Sequence, residues 1–243
     1  LALLQTRPLG IRGVTNPLPA SGAAAPEHLA EARANAPLTV LTLDRIVSLR
    51  DFEDFARAFA GIGKAQAVTL WNGQANLAHV TIAGTGGDPV DPRSPLFTNL
   101  RQAIDAVRDP VQQVHLDSFE PQWFGIAASL LIDPRYVAAD VLAGGGAALR
   151  EAFAFEQRAF GQAVTAAEAI TVLQGVSGVQ AVDLDGLFAV PAPGAPPPGP
   201  LPGSPPPFLP AATASWEAGE ARPAQLLLID PAAITLTELR PAT

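Results

Sequence analysis

Residues 37–70, PLTVLTLDRIVSLRDFEDFARAFAGIGKAQAVTL, decide the fold. The stretch reads as a capped amphipathic helix that hands the chain to a strand. Ser48 and Asp51 stand three apart in Ser-Leu-Arg-Asp, the spacing of a capping box, in which each side chain satisfies a backbone N–H of the other residue. Behind the cap, Phe52, Phe55, Ala56 and Phe59 recur at helical spacing and form one apolar stripe, with Glu53, Asp54 and Arg57 on the other faces. Phe52, Phe55 and Phe59 are therefore the expected core of this helix. Gly61 supplies the stop, because glycine enters the left-handed region without a Cβ penalty. Residues 64–70 then begin to alternate as a strand does.

A shorter version of the unit returns later. Thr165-Ala166-Ala167-Glu168 is a full capping-box pattern, so Thr165 and Glu168 are a second pair of expected cap residues. Ala169, Ile170, Val172 and Leu173 give an apolar helix, Gly175 the stop, and residues 176–182 the turn into a strand. Even the last positions agree: Gln66-Ala67-Val68 against Gln180-Ala181-Val182. This is either an internal duplication or one local solution found twice, and a single pair falls short of the repeat number a solenoid needs.

Around these units lie GVTNPLPASG at 13–22, NAPLTV at 35–40, FGQ at 160–162 just before the second cap, and Gly178-Val179 after it. In order and spacing these segments resemble the baseplate J-like family, over roughly residues 9–187. The closer resemblance is to baseplate assembly proteins of phage-tail-like contractile injection systems. The chain departs from the family pattern in the Gly144-Gly145-Gly146 run and in lacking a long N-terminal region. The resemblance implies a structural wedge subunit that links hub, sheath and neighbouring wedges. Its partners would be a second wedge protein, the hub and sheath-proximal proteins, with several copies in a ring. It would belong to a tail-like particle assembled in the cytoplasm and released from the cell. The alternative is a peripheral carbohydrate-binding receptor module of the same kind of particle.

Composition supports assembly over chemistry. Fifteen Lys and Arg against 23 Asp and Glu give a formal charge of −8, which argues against general nucleic-acid or anionic-membrane binding. With 48% hydrophobic and only 16% charged residues, the surface must carry much Ala, Pro and Gly, as expected where partners cover it. There is no Cys, hence no disulfide, thiol nucleophile or Cys-based metal site. No apolar run approaches the ~18 residues of a membrane span, so no membrane insertion is expected. The absence of Met leads us to expect a piece of a longer protein.

The chain divides into four expected stretches. Residues 1–37 form an extended arm, proline-interrupted yet apolar, followed by a short helix, with Leu9, Ile11 and Val14 as candidate interface anchors. Residues 38–118 form a first α+β unit: the organising helix, a hairpin turning at Asn72-Gly73, a helix through Leu96 to Val107, and a strand near 111–116. Residues 119–190 form a second unit with a strand at 123–132, a helical pattern at 137–155 and the second capped helix. The three glycines must break that helical pattern or be offset by close packing. Residues 191–243 hold a Pro-rich strap, with Leu201, Phe208 and Leu209 as anchors, and two short strands split by Asp230-Pro231. The expected fold class is α+β: two small split β-α-β sandwiches with antiparallel or mixed sheets.

No catalytic constellation emerges, and no enzyme activity or cofactor is expected. His28, His79 and His115 lie in different elements at no ligand spacing. Asp51, Glu53 and Asp54 suit a helix N-terminus. Asp183-Leu184-Asp185-Gly186 is too short for an EF-hand loop. The glycine run lacks a following Lys-Ser or Lys-Thr, so it is no phosphate loop. Trp71, Trp123 and Trp216 are read as core or interface anchors, with sugar stacking as the alternative.

Overall fold

The computed structural model describes residues 45–196 and 205–239. The N-terminal arm with Leu9, Ile11 and Val14, and Leu201 of the strap, lie outside the described residues. The fold is α+β: four α-helices among the described residues, packed on small mixed sheets.

The first unit runs α1 (Leu49–Ala58), β1 (Ile62–Trp71), β2 (Asn76–Gly84), α2 (Pro95–Val107) and β3 (Val114–Ser118). Ser48 and Asp51 close the capping box at the start of α1. Pro95 opens α2, one residue before the expected start, and the Ser94 hydroxyl accepts from Phe97 N–H. Proline suits that position because the missing N–H has no helical partner there anyway. The sheet order is β1-β2-β3, with β1 antiparallel and β3 parallel to β2. The return strand β2 is buried on both faces. It is the central strand: Ala78, Val80 and Ile82 join the core under α1 and α2, while Ala83 meets the second unit.

The second unit runs β4 (Glu120–Ile132), α3 (Ala138–Ala152), α4 (Ala166–Gln174), β6 (Val179–Val190) and β10 (Gln225–Glu238), with short strands β5 (Val164–Thr165), β7 (Phe208–Leu209), β8 (Ser215–Glu217) and β9 (Glu220–Arg222) around it. Its order is β10-β4-β6, again one parallel and one antiparallel neighbour of a central strand. The two capped units noted in the sequence thus occupy like positions: α1 leads into β1, α4 into β6, and each strand pairs antiparallel with the centre of its sheet. The second stop falls where expected, with Gly175 as the C-cap of α4, but without a left-handed turn there. Gly175 keeps right-handed helical angles, and the left-handed position falls three residues later at Gly178, with φ of +94°. A Cβ at Gly178 would also stand 2.8 Å from Tyr136 Cγ, so shape and conformation both require glycine.

Helix α3 continues unbroken through Gly144, Gly145 and Gly146. Close packing is the reason: a Cβ at Gly145 would lie 3.0 Å from Leu236 Cδ1 and 3.3 Å from Leu173 Cδ2. The expected pair of C-terminal strands is instead one 14-residue strand with a register shift between Ile229 and Ile234. Asp230 turns its side chain inward at that bulge and accepts from Gly194 N–H at 2.7 Å and Ala232 N–H at 3.0 Å. Buried carboxylate oxygens need such donors, and here they replace the broken ladder. The first half of β10 is buried on both sides. Leu227 and Ile229 enter the core under α3 and α4, whereas Leu226 and Leu228 face the first unit.

Candidate functional site at the junction of the sheets

The chain passes from β3 to β4 through one residue, Phe119. Its N–H donates to Ile82 O in the first sheet at 2.9 Å, and the next N–H, of Glu120, donates to Ala224 O beside the second at 3.1 Å. The Phe119 ring is buried, 5.8 Å from Phe160, in a cluster that also holds Ala83, Ala224, Leu226 and Leu228.

Parallel pairing of β2 with β3 puts His79 beside His115. The rings stack at 5.6 Å, and both Nε2 atoms reach the same oxygen, Asp117 Oδ2, at 2.9 and 3.1 Å. His79 is fully buried. Its Nδ1 lies 3.4 Å from Thr81 Oγ1, which in turn accepts from Ala224 N–H at 3.2 Å. A run of polar groups therefore ties the first sheet to the approach of β10. Both imidazoles spend the same nitrogen on one carboxylate, which fastens β2 to β3 at this point. Among the described residues, no group of three or more His, Cys, Asp or Glu side chains is arranged to hold a metal ion.

Arg158 is the second buried polar centre. Its guanidinium bonds Glu168 Oε1 at 3.1 Å and Ala163 O at 2.6 Å, and lies 5.4 Å from the Phe153 ring centre. Glu168 thus has two tasks, since it also closes the α4 capping box with Thr165. Burial pushes its pKa up, but the Thr165 N–H and the Arg158 charge outweigh that and leave it below the ordinary value. Asp51, at the other cap, is likewise lowered, chiefly by the Ser48 N–H.

Between α1 and residues 158–160, along β1, lies a cleft of about 280 Å³. Three exposed apolar side chains, Val47, Trp71 and Val111, stand on segments at the hairpin end of the first sheet, where the Asn72 amide also reaches Gln113 Oε1 at 3.4 Å. Among the described residues, no helix is long and apolar enough to cross a membrane.

Compared with known proteins, residues 44–117 match the sequence profile of the Baseplate J-like central domain. The matched stretch takes in α1, β1, β2 and α2 and ends inside β3, at the Asp117 that both histidines share. Among solved structures, the chain is similar to one in the cryo-EM structure of the anti-feeding prophage baseplate, 6-fold symmetrised. That likeness has a TM-score of 0.56 at 12% identity and covers 94% of this chain and 48% of the other, so this chain spans about half the length of its structural relative. No curated protein matches the chain.

Within the matched stretch, Phe52 is fully buried, while Phe55 and Phe59 are half-buried at the margin of the core. Asp54, placed by periodicity on an outer face, is buried and held by Arg50 at 3.7 Å and Arg57 at 4.0 Å. Beyond the domain, the two described strap anchors separate. Leu209 packs on the second core through the β5–β7 pair, whereas Phe208 is 51% exposed. Period-2 alternation in an extended segment requires that split. Arg158 and the His79–His115–Asp117 group were not singled out in the sequence. The histidines were read as lying in unrelated elements, and a lone arginine between Gln157 and Ala159 carries no signal of burial.

Proposed function

We propose that this chain is a structural, non-enzymatic baseplate subunit of a contractile injection system or phage tail. It would be a wedge that links hub, sheath-proximal proteins and neighbouring wedges, several copies to a ring, in a particle assembled in the cytoplasm and released from the cell. One observation carries this reading: a match to the J-like central domain within a chain whose fold, over nearly its whole length, is similar to that of a chain in a baseplate structure. The exposed Val47, Trp71 and Val111 support it, since apolar side chains gathered at one end of a sheet suit a partner surface.

The test is removal of the chain from a producing cell, followed by electron microscopy of the particles. Sheaths and tubes that form but lack a completed baseplate are expected, restored by the wild-type chain in trans. Complete, contractile particles without the chain would overturn the reading. The carbohydrate-binding alternative rests on Trp71, the exposed tryptophan among the described residues. A glycan array that lights up with wild type and goes dark with Trp71→Ala would favour it instead.

A further inference from the structure

The cleft beside β1 combines three features that point to one kind of occupant. The first is a usable strand edge. β1 is the outer strand of its sheet, and Ala67 N–H donates to Glu53 Oε1 at 2.9 Å instead of to β2. In an antiparallel ladder alternate residues turn their backbone groups the same way, so Ala65, in unbroken register with Ala67, also points away from β2. Ala65 lines the cleft. The Glu53 carboxylate already shows an oxygen seated on this edge, one step further along.

The second feature is charge. Arg57, Lys64 and Arg158 line the cleft against a single carboxylate, Glu53, which is engaged on Ala67. This excess of cations sits on a chain with a net charge of −8. Arg158 is bound to Glu168, whereas Arg57, 39% exposed, stands 4.0 Å from Asp54 and still faces the cleft with Lys64. Lys64 is partly buried, donates to the Glu156 carbonyl at 3.2 Å and lies over Phe155, and burial lowers its pKa. It has no ion pair among the described residues, the Glu156 charge opposing the effect of burial from further off, and a group of this kind is stabilised by a close carboxylate. The third feature is an orphan: Gln66 Oε1, also in the cleft lining, is buried with no hydrogen-bond partner among the described residues. A buried acceptor of this sort calls for a donor.

We infer that the cleft receives an extended acidic segment of a partner protein, which adds to the β1 edge at Ala65 and sets a carboxylate between Arg57 and Lys64. Main-chain bonds supply the hold and the charges supply the choice of partner, as in other strand additions. A segment with alternating acidic and apolar residues fits, because one face of an added strand would meet the two cations and the other Phe160. The inference rests on the chemistry of the cleft and not on the baseplate reading, and it is tested on the isolated chain.

The probe is a fluorescein-labelled peptide of alternating Glu and Val, titrated against the full chain by fluorescence anisotropy. Saturable binding is expected, weakened about tenfold in Lys64→Gln and restored in Lys64→Arg, and weakened further by salt. The same peptide N-methylated at alternate residues keeps its charge but loses its donors, and its binding should disappear. Circular dichroism of each variant confirms that it remains folded. Equal binding of the N-methylated peptide, equal binding to folded Lys64→Gln, or no binding of the parent peptide would each overturn the proposal.

Discussion

His79 and His115 are joined through a single oxygen: both imidazole Nε2 atoms contact Asp117 Oδ2, one from a fully buried ring and the other from a ring on the surface. Loss of the carboxylate strands the buried partner. Asp117→Ala should therefore destabilise the chain by about 1–3 kcal/mol, the cost of an unsatisfied buried donor. His79→Ala should cost more than His115→Ala, whose side chain is 47% exposed. Urea melts of the three variants check the order. Equal losses for the two histidines would show that the ring burial carries no weight.

Phe52, rather than Phe55 or Phe59, should dominate the stability of the first unit. Phe52→Ala removes a fully buried ring and should cost about 3–5 kcal/mol. The half-buried Phe55 and Phe59 should each cost clearly less, and Ser48→Ala about 1 kcal/mol as a lost cap. Denaturation midpoints at unchanged m-value measure the series.

Two neighbouring glycines of α3 should respond differently to alanine. A Cβ at Gly144 would meet only Val176, at 3.5 Å, so Gly144→Ala should gain up to about 1 kcal/mol of helix propensity. At Gly145 the same Cβ would press on Leu236 and Leu173, and the gain should vanish or reverse. Thermal melts of the two single variants, compared side by side, provide the measurement.

Acid should loosen the α4 cap. Glu168 has a folded pKa below its ordinary 4.5. Its contribution is thus complete above the unfolded value and is lost as pH falls through the folded one. Stability should decline on going from about pH 5 to about pH 3, and Glu168→Gln should flatten part of that decline. Because the side chain is 40% exposed, solvent screening keeps the effect modest. Melts across this range, with the variant as reference, test the sign.

What could be read from the sequence was local. Ser48 with Asp51 and Thr165 with Glu168 are three apart, so their caps are visible to anyone counting residues, and both form. The α+β class followed from the order of such segments. The Asn72-Gly73 turn declared its hairpin for the same reason. Contacts set by distant pairing were not legible. His79 and His115 meet because a crossover through α2 fixes their register. Thr81 and Ala224, 143 positions apart, meet because β10 returns to the junction. Periodicity likewise outlined the apolar stripe of α1, but which phenylalanine is central depends on how the helix lies on β1. Asp230-Pro231 looked like a break between strands because a bulge and a loop share their composition. The Asp230 bonds to Gly194 and Ala232 decide between them, and one of those partners lies far away in the chain.

The one-residue passage at Phe119 has a mechanical consequence. A linker of many residues has slack that must be drawn taut before a pull is felt, whereas a single residue spans only about 3.3–3.6 Å at full extension. A load applied along β3 arrives in β4, the middle strand of the next sheet, almost without delay or loss of travel. Slack is absent on the far side of the junction too, because the buried cluster around Phe119 and Phe160 and the Thr81–Ala224 bond pack the two halves against each other.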